Sequence, residues 1–356
     1  MINFLKILFI NVIVFFLGIF IIELFFGTWL KNSNYSDLLI PRQQTNIIKS
    51  FPYEYDTLGI YSRDENGFRA NQYKLNDIKI LILGGSTTEE REVDDNKIWT
   101  KIFESNLNKE YKVINAGIGG QTSNGHRSMF NIWFSKYPDL NPDFIIIYLG
   151  INDALYFVES LNNNNILDKG RRLNSSNRDN LTNINFSDRF VQYLKNNSIF
   201  HSVYLIIKGN IISSKYQFTY NSKPTIFNAY YGEAPINISN YDENISIIFT
   251  NYYYENLREI LEYSKNYNAK LILVNQVISK SHWLNNYLNK INFLTLNFCK
   301  INKINCINLE DNNLKLNENN FYDGIHTTPE GSKIIGEFIA DQFNKINLEN
   351  QKKNLN

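Results

Sequence analysis

Residues 80–87 read Ile80-Leu81-Ile82-Leu83-Gly84-Gly85-Ser86-Thr87, a buried-strand pattern that stops at two glycines and hands the chain to a hydroxyl. Ser86 therefore stands at the end of a regular element, where a side chain can be both held and exposed. Far downstream, Asp323-Gly324-Ile325-His326 sets a carboxylate and an imidazole three residues apart, so one turn of chain can present both to one pocket. The order Ser, Asp, His, with the last two so close, differs from the better-known protease triads, whose members come in other orders or farther apart. Between them lie Asn115-Ala116-Gly117-Ile118-Gly119-Gly120-Gln121-Thr122-Ser123 and Leu149-Gly150-Ile151-Asn152-Asp153, each also following an apolar strand-like run.

Working outward, five apolar runs read as core strands: Ile78 to Leu83, Lys112 to Asn115, Phe144 to Leu149, Lys270 to Asn275 and Asn305 to Leu309. Helical spacing separates them, as in Ile98, Ile102, Phe103 and Leu107, in Leu257, Ile260 and Leu261, and in Ile334, Ile335, Phe338 and Ile339. Such alternation predicts an α/β domain, a parallel sheet covered on both faces. Ligands on such sheets bind beyond the carboxyl ends of the strands, where Ser86, Gly120 and Asn152 all fall. Thr328-Pro329-Glu330 marks a helix start, with a capping threonine and a proline at the first helical position, so His326 belongs to the loop just before it.

These four segments resemble the blocks of the SGNH, or GDSL-like, serine hydrolases. The first block supplies the nucleophile, here Ser86 in Gly84-Gly85-Ser86-Thr87, with Gly85 where the family name has Asp. The second supplies a glycine whose backbone N–H helps bind the oxyanion, here Gly120. The third is a Gly-x-Asn-Asp pattern whose asparagine is also an oxyanion donor, here Asn152, and the last is Asp-x-x-His, matched by Asp323 and His326. The resemblance spans roughly residues 78–345 and implies a three-layer αβα sandwich around a five-stranded parallel sheet, the flavodoxin-like SGNH hydrolase fold, with no cofactor and no metal. It further implies a catalytic triad of Ser86, Asp323 and His326 and an oxyanion hole formed by the backbone N–H groups of Ser86 and Gly120 and the Asn152 amide.

Taken singly, each block has a plainer explanation: glycines turn a chain, Asn152-Asp153 caps a helix, Asp323-Gly324 makes a turn. Four blocks in the family's order are what give the resemblance its weight. His126, His201 and His282 lack a carboxylate at comparable spacing. Asp153 reads as structural, and Gln276, at a strand end, as a pocket-lining residue. A phosphate-binding reading of the Gly84-Gly85 turn fails because no lysine stands at the Walker position.

The expected activity is that of a carboxylic ester hydrolase acting on acyl esters, O-acetyl groups of a surface glycan by family analogy. An O-acyltransferase using the same residues on a sugar hydroxyl remains an alternative, as does a noncatalytic glycan-binding or scaffold protein of the same fold. Nucleic acid is not an expected partner, since a formal charge of +1 over 356 residues offers no basic field.

The first thirty residues read differently. From Ile7 the chain is almost continuously apolar to Phe26, interrupted by Asn11 and Glu23, which is enough to cross a bilayer. Bulky residues follow instead of a small-x-small cleavage site, so residues 1–30 are expected to be an uncleaved transmembrane anchor meeting lipid through residues 4–30, with a cleaved signal as the alternative. The expected placement is a single pass through a bacterial cytoplasmic membrane with the catalytic domain facing the periplasm or exterior. Residues 31–77 read as a connector in which Asn66-Gly67-Phe68-Arg69 resembles a segment preceding the first strand in anchored family members, giving Arg69 a possible pocket role. The hydrolase domain is expected over 78–348, with an insertion at about 155–250 whose aromatic part, Tyr216 to Tyr231, is either a lid or a surface elaboration, and 349–356 as a polar tail. Cys299 and Cys306 lack the spacing of a zinc site; they are either plain core residues or a bridge from a helix end to the next strand.

Overall fold

The computed structural model describes residues 2–27, 29, 44–48, 59–162, 190, 191, 194, 197–201, 203, 204 and 243–355. Five strands form a parallel sheet: β3 (Ile80–Gly84), β4 (Val113–Asn115), β5 (Phe144–Tyr148), β6 (Lys270–Val274) and β7 (Asn305–Ile307), in the order β4-β3-β5-β6-β7. Every residue of β3 and β5 is buried, which is why these strands read as unbroken apolar runs rather than alternating ones. In register, Ile80 faces Phe144 and Gly84 faces Tyr148, while Phe144 in turn faces Lys270.

Alternation splits these strands between two cores. Leu81, Leu83, Ile145, Ile147, Leu271 and Leu273 point to one face, which is covered by α4 (Ser123–Ile132), α5 (Ile151–Asn162), α6 (Glu243–Asn266) and α7 (Asn285–Asn302). Ile80, Ile82, Ile146, Ile272 and Val274 point to the other, against Trp99 and Phe103 of α3 (Trp99–Ser105) and Ile335, Ile339 and Phe343 of α8 (Pro329–Leu355). The result is the expected three-layer αβα sandwich. The chain runs from β3 outward to β4 and then crosses back to β5, so the order reverses beside β3, and ligands on such sheets bind beyond the carboxyl ends of the strands at that reversal.

Three features depart from the sequence reading. The connector contains an antiparallel pair, β1 (Gln44–Ile48) with β2 (Gly59–Arg63); β2 turns Tyr61 and Arg63 inward, side chains that do not register as a core pattern. The core helices α5 and α6 reach into the stretch read as inserted, α5 to Asn162 and α6 from Glu243, with Phe157 and Phe249 packed on each other at 4.9 Å between rings. At the other end α8 remains helical to Leu355. The aromatic run from Tyr216 to Tyr231 lies outside the described residues.

Cys299 of α7 and Cys306 of β7 are joined in a disulfide, Cα atoms 6.1 Å apart, the helix-to-strand bridge among the two sequence alternatives. One further helix, α1 (Ile2–Phe26), contains 23 residues, Phe4–Phe26, long and apolar enough to cross a membrane, none of them buried.

Candidate active site

Each expected site residue sits in a loop or at the start of a helix. Gly85 caps α2 (Ser86–Glu89), so Ser86 is the first helical residue after β3 and is half-buried. Asn152 is the second residue of α5, just past β5, and Gly120 lies in the loop after β4 with φ +81°, a conformation that favours glycine. Asp323 and His326 come from the loop that leads into α8.

The structure brings Ser86, His326 and Asp323 into one line. His326 Nε2 lies 2.7 Å from Ser86 Oγ, and His326 Nδ1 lies 2.6 Å from Asp323 Oδ2. The ionised carboxylate only accepts, so neutral His326 carries its proton on Nδ1 and leaves Nε2 to accept from the serine hydroxyl. The other carboxylate oxygen of Asp323 accepts the backbone N–H groups of Ile325 (2.9 Å) and His326 (2.7 Å), which fixes the loop that aims the ring. Tyr322 stacks on His326 with ring centroids 5.8 Å apart and donates its hydroxyl to Glu92 at 3.0 Å.

Electrostatics follow the geometry. Burial disfavours the imidazolium, but the hydrogen bond and charge of Asp323, with Glu92 and Glu90 behind it, outweigh burial and raise His326 above the ordinary value of 6.5. For Asp323 burial favours the neutral acid, and its hydrogen bonds to His326 and the loop amides overturn that, lowering its pKa. A protonated His326 cannot accept a proton from Ser86. The acidic limb of kcat/KM is therefore expected to have its midpoint above pH 6.5, with activity falling about tenfold per unit below it. A pH–rate profile on a short-chain ester checks this, and a midpoint below 6.5 would remove His326 as the base.

The Asn152 side chain reaches across to the second loop, its Nδ2 donating to the Gln121 carbonyl at 2.9 Å, which leaves one N–H of the amide to be given elsewhere. A Cβ built on Gly85 would lie 2.6 Å from that Nδ2, so the absence of a side chain at 85 and the placement of Asn152 are one arrangement. Asn152→Ala is expected to lower kcat about 10²- to 10³-fold, the range typical of losing one oxyanion donor, with KM little changed. Steady-state kinetics decide it; an unchanged kcat excludes the amide from the reacting centre.

Several residues that hold this site in place were not anticipated as such. Glu89, 1% exposed, accepts the Gly119 N–H at 2.7 Å and the Tyr61 hydroxyl at 2.9 Å, and pairs with the buried Arg63 at 3.0 Å. Arg63 also donates to the carbonyls of Gly67 and Gly117, both at 2.6 Å, so a single buried ion pair ties β2 and α2 to the loop that bears Gly120. Glu90 stands in the left-handed region at φ 45° and accepts from Trp99 N–H (2.6 Å), Thr327 Oγ (3.0 Å) and Ser332 Oγ, locking the Ser86 segment to the His326 loop and α8. Burial pushes its carboxyl up to about 7, against the pull of those donors and of Arg69. The only sequence signal was two adjacent carboxylates directly behind Ser86.

Arg69 is buried, with its guanidinium directed to the backbone carbonyls of Glu89 (3.0 Å) and Val93 (2.8 Å), so it organises the chain after Ser86 rather than lining a pocket. Gln276 is likewise buried: it accepts the Ile151 N–H at 2.6 Å and donates to Thr87 Oγ, tethering the Asn152 turn to the Ser86 turn. Asp153 accepts the Ser123 N–H at 3.0 Å and its hydroxyl at 2.6 Å, a structural role at the start of α4. His126 is buried and pushed down to about 3, and burial also lowers His282 against the pull of Asp323.

Residues 82–185 match the family model described as GDSL-like Lipase/Acylhydrolase family. No curated protein matches the chain by sequence. Solved structures similar to it include Est24, a carbohydrate acetylesterase from Sinorhizobium meliloti, with 13% identity, 76% of this chain and 99% of that chain covered, and a TM-score of 0.40. The aryl esterase of M. smegmatis is similar at 13% identity, 75% and 99% coverage and a TM-score of 0.42. A GDSL-like lipase from Bacteroides thetaiotaomicron shows 17% identity, 78% and 92% coverage and a TM-score of 0.38.

Proposed function

We propose that the chain, whose residues 82–185 match the GDSL-like lipase/acylhydrolase family model, is a membrane-anchored SGNH serine esterase that removes acyl groups, O-acetyl groups of a surface glycan in particular, through an acyl-Ser86 intermediate. The observation that carries this reading is the continuous hydrogen-bonded line from Ser86 Oγ through His326 to Asp323. A serine hydroxyl is a weak nucleophile until a base takes its proton, and His326 Nε2 is placed to do so. As Ser86 Oγ attacks the ester carbonyl, the proton passes to His326, whose cation is stabilised by Asp323. The negative oxygen that develops is met by the N–H groups of Ser86 and Gly120 and by the Asn152 amide. His326 then returns the proton to the departing alkoxide. Water, deprotonated by the same nitrogen, releases the acyl group in the reverse sequence.

The exported, anchored placement is supported by the span of α1 and by the Cys299–Cys306 disulfide, which fits an oxidising compartment. Glycan esters follow the family resemblance, and the same geometry serves transfer to a sugar hydroxyl when that acceptor replaces water.

The experiment is direct. The protein is expected to hydrolyse a short-chain p-nitrophenyl ester and to be labelled by a fluorophosphonate at Ser86, with both lost in Ser86→Ala. Equal labelling of parent and variant would end the assignment. An O-acetylated glycan supplied with and without an unacetylated acceptor, with products read by mass spectrometry, separates hydrolysis from transfer; glycan retention without turnover would instead identify a binding protein.

A further inference from the structure

Glu23 is the one acidic residue in α1, and its carboxylate is fully engaged. It accepts from Ser198 Oγ, from the backbone N–H groups of Ile199 (3.0 Å) and Phe200 (3.4 Å), and from Trp29 Nε1 (2.9 Å). Ser198 in turn accepts the His201 N–H at 3.1 Å on its hydroxyl, as an N-cap does, so the helical turn at 199–201 starts on the end of α1. Residues of the insertion far away in sequence are thereby held against the anchor.

The position of that contact along α1 matters. Nineteen residues separate Phe4 from Glu23, a helical rise of about 29 Å, against a hydrocarbon core about 30 Å thick. With α1 across a bilayer, Glu23 and Trp29 come to the level where hydrocarbon meets headgroups, a depth suited to an indole ring. The turns beside them are apolar and outward-facing. Phe190, Val191 and Leu194, then Phe200, Val203 and Tyr204, recur at the spacing of one helical face, and each is between 40% and 55% exposed. In sequence, residues 199–207 continue as Ile-Phe-His-Ser-Val-Tyr-Leu-Ile-Ile, with Arg189, Lys195 and Lys208 around the segment. Cations that snorkel, aromatic residues and an aliphatic run are the composition of a segment that lies in a membrane surface.

We infer that the apolar side chains of Phe190, Val191, Leu194, Phe200, Val203 and Tyr204 form a second membrane contact, lying in the lipid interface beside the outer end of α1 and joined to it through Glu23. The occupant of the exposed apolar face is the bilayer, because the face is contiguous with the end of the spanning helix. A single anchor leaves the catalytic domain free to turn about it, whereas two points of contact define an orientation. The inference rests on the reading that α1 spans a bilayer.

Both cysteines are in the disulfide, so an introduced cysteine is the sole free thiol. Phe200→Cys, Val203→Cys, Val14→Cys and Asp341→Cys in the full chain, each labelled with an environment-sensitive nitrobenzoxadiazole and reconstituted in phosphatidylcholine vesicles, test it. Labels at 200 and 203 are expected to show blue-shifted emission and to lose intensity when the acyl chains are brominated near the headgroups. The label at 14 should lose intensity to bromine near the chain ends, and the label at 341, on the exposed face of α8, to neither. Quenching at 14 with none at 200 and 203 would overturn the inference and leave the anchor standing. No quenching at 14 would overturn the anchor, and the inference with it.

Discussion

Replacing Ser86 or His326 by alanine is expected to lower kcat roughly 10⁶-fold, and replacing both to lower it no further, if the two act as one unit. The argument lies in the 2.7 Å contact between Ser86 Oγ and His326 Nε2. The hydroxyl is useless without a proton acceptor, and the acceptor is useless without the hydroxyl, so the second substitution removes nothing that the first has left. Neither of the two other histidines buried in the catalytic domain can stand in. His126 is buried and held neutral at about 3, and His282 is buried with its Nδ1 accepting the Leu284 N–H at 3.2 Å. What survives in all three variants is the slow reaction supported by the oxyanion donors and substrate binding alone. Ser86 and the His326 side chain are only partly buried, so thermal unfolding should be little altered, and kcat on a p-nitrophenyl ester is the measurement. Losses that multiply in the double variant would mean that the two residues act independently, and the triad would have to be abandoned.

The parts of this site that were legible in sequence are those encoded locally. An apolar strand ending in Gly84-Gly85, a Gly-x-Asn-Asp turn and an Asp-x-x-His loop each announce themselves within a few residues, and the parallel sheet follows from runs of Ile, Leu and Val buried on both faces. The supports were not legible, because they depend on contacts between distant segments. Arg63 and Glu89 are charged side chains that would ordinarily lie in water, and nothing near either in sequence says that β2 will carry one onto the other. Gln276 looked like a pocket residue because it ends a strand; its amide instead spans two turns that come together only when β3, β5 and β6 are aligned. The same limit hid the hairpin of β1 and β2, whose inward residues are Tyr61 and Arg63 rather than an aliphatic stripe.

The supports also explain why a partly exposed nucleophile can be held still. Glu89 and Glu90 face opposite ways from one short helix, the first to the Gly119 amide and the second to Thr327 and Ser332. Movement of Ser86 relative to either the Gly120 loop or the His326 loop would break a buried hydrogen bond to one of these carboxyl groups. Rigid positioning of this kind is what allows donors to be in place before charge develops.

Asp323→Asn is the sharpest test of how that rigidity is used, with an expected fall in kcat of about 10⁴-fold at unchanged fold. The substitution keeps an oxygen to accept the N–H groups of Ile325 and His326, so the loop and its Gly324 turn, at φ +84°, can stay as they are. What changes is the group facing His326 Nδ1 at 2.6 Å. An amide N–H in that place donates, which drives the imidazole to the tautomer protonated on Nε2, and that nitrogen then presents a proton to Ser86 instead of a lone pair. Loss of the negative charge also removes the chief support of the imidazolium, so the acidic limb of the pH profile should move down in pH even as the plateau collapses. The two effects together separate this account from simple damage to the loop, which would lower the plateau and leave the limb in place. A variant that keeps kcat within about tenfold of the parent would show that Asp323 holds the loop but does not set the histidine tautomer.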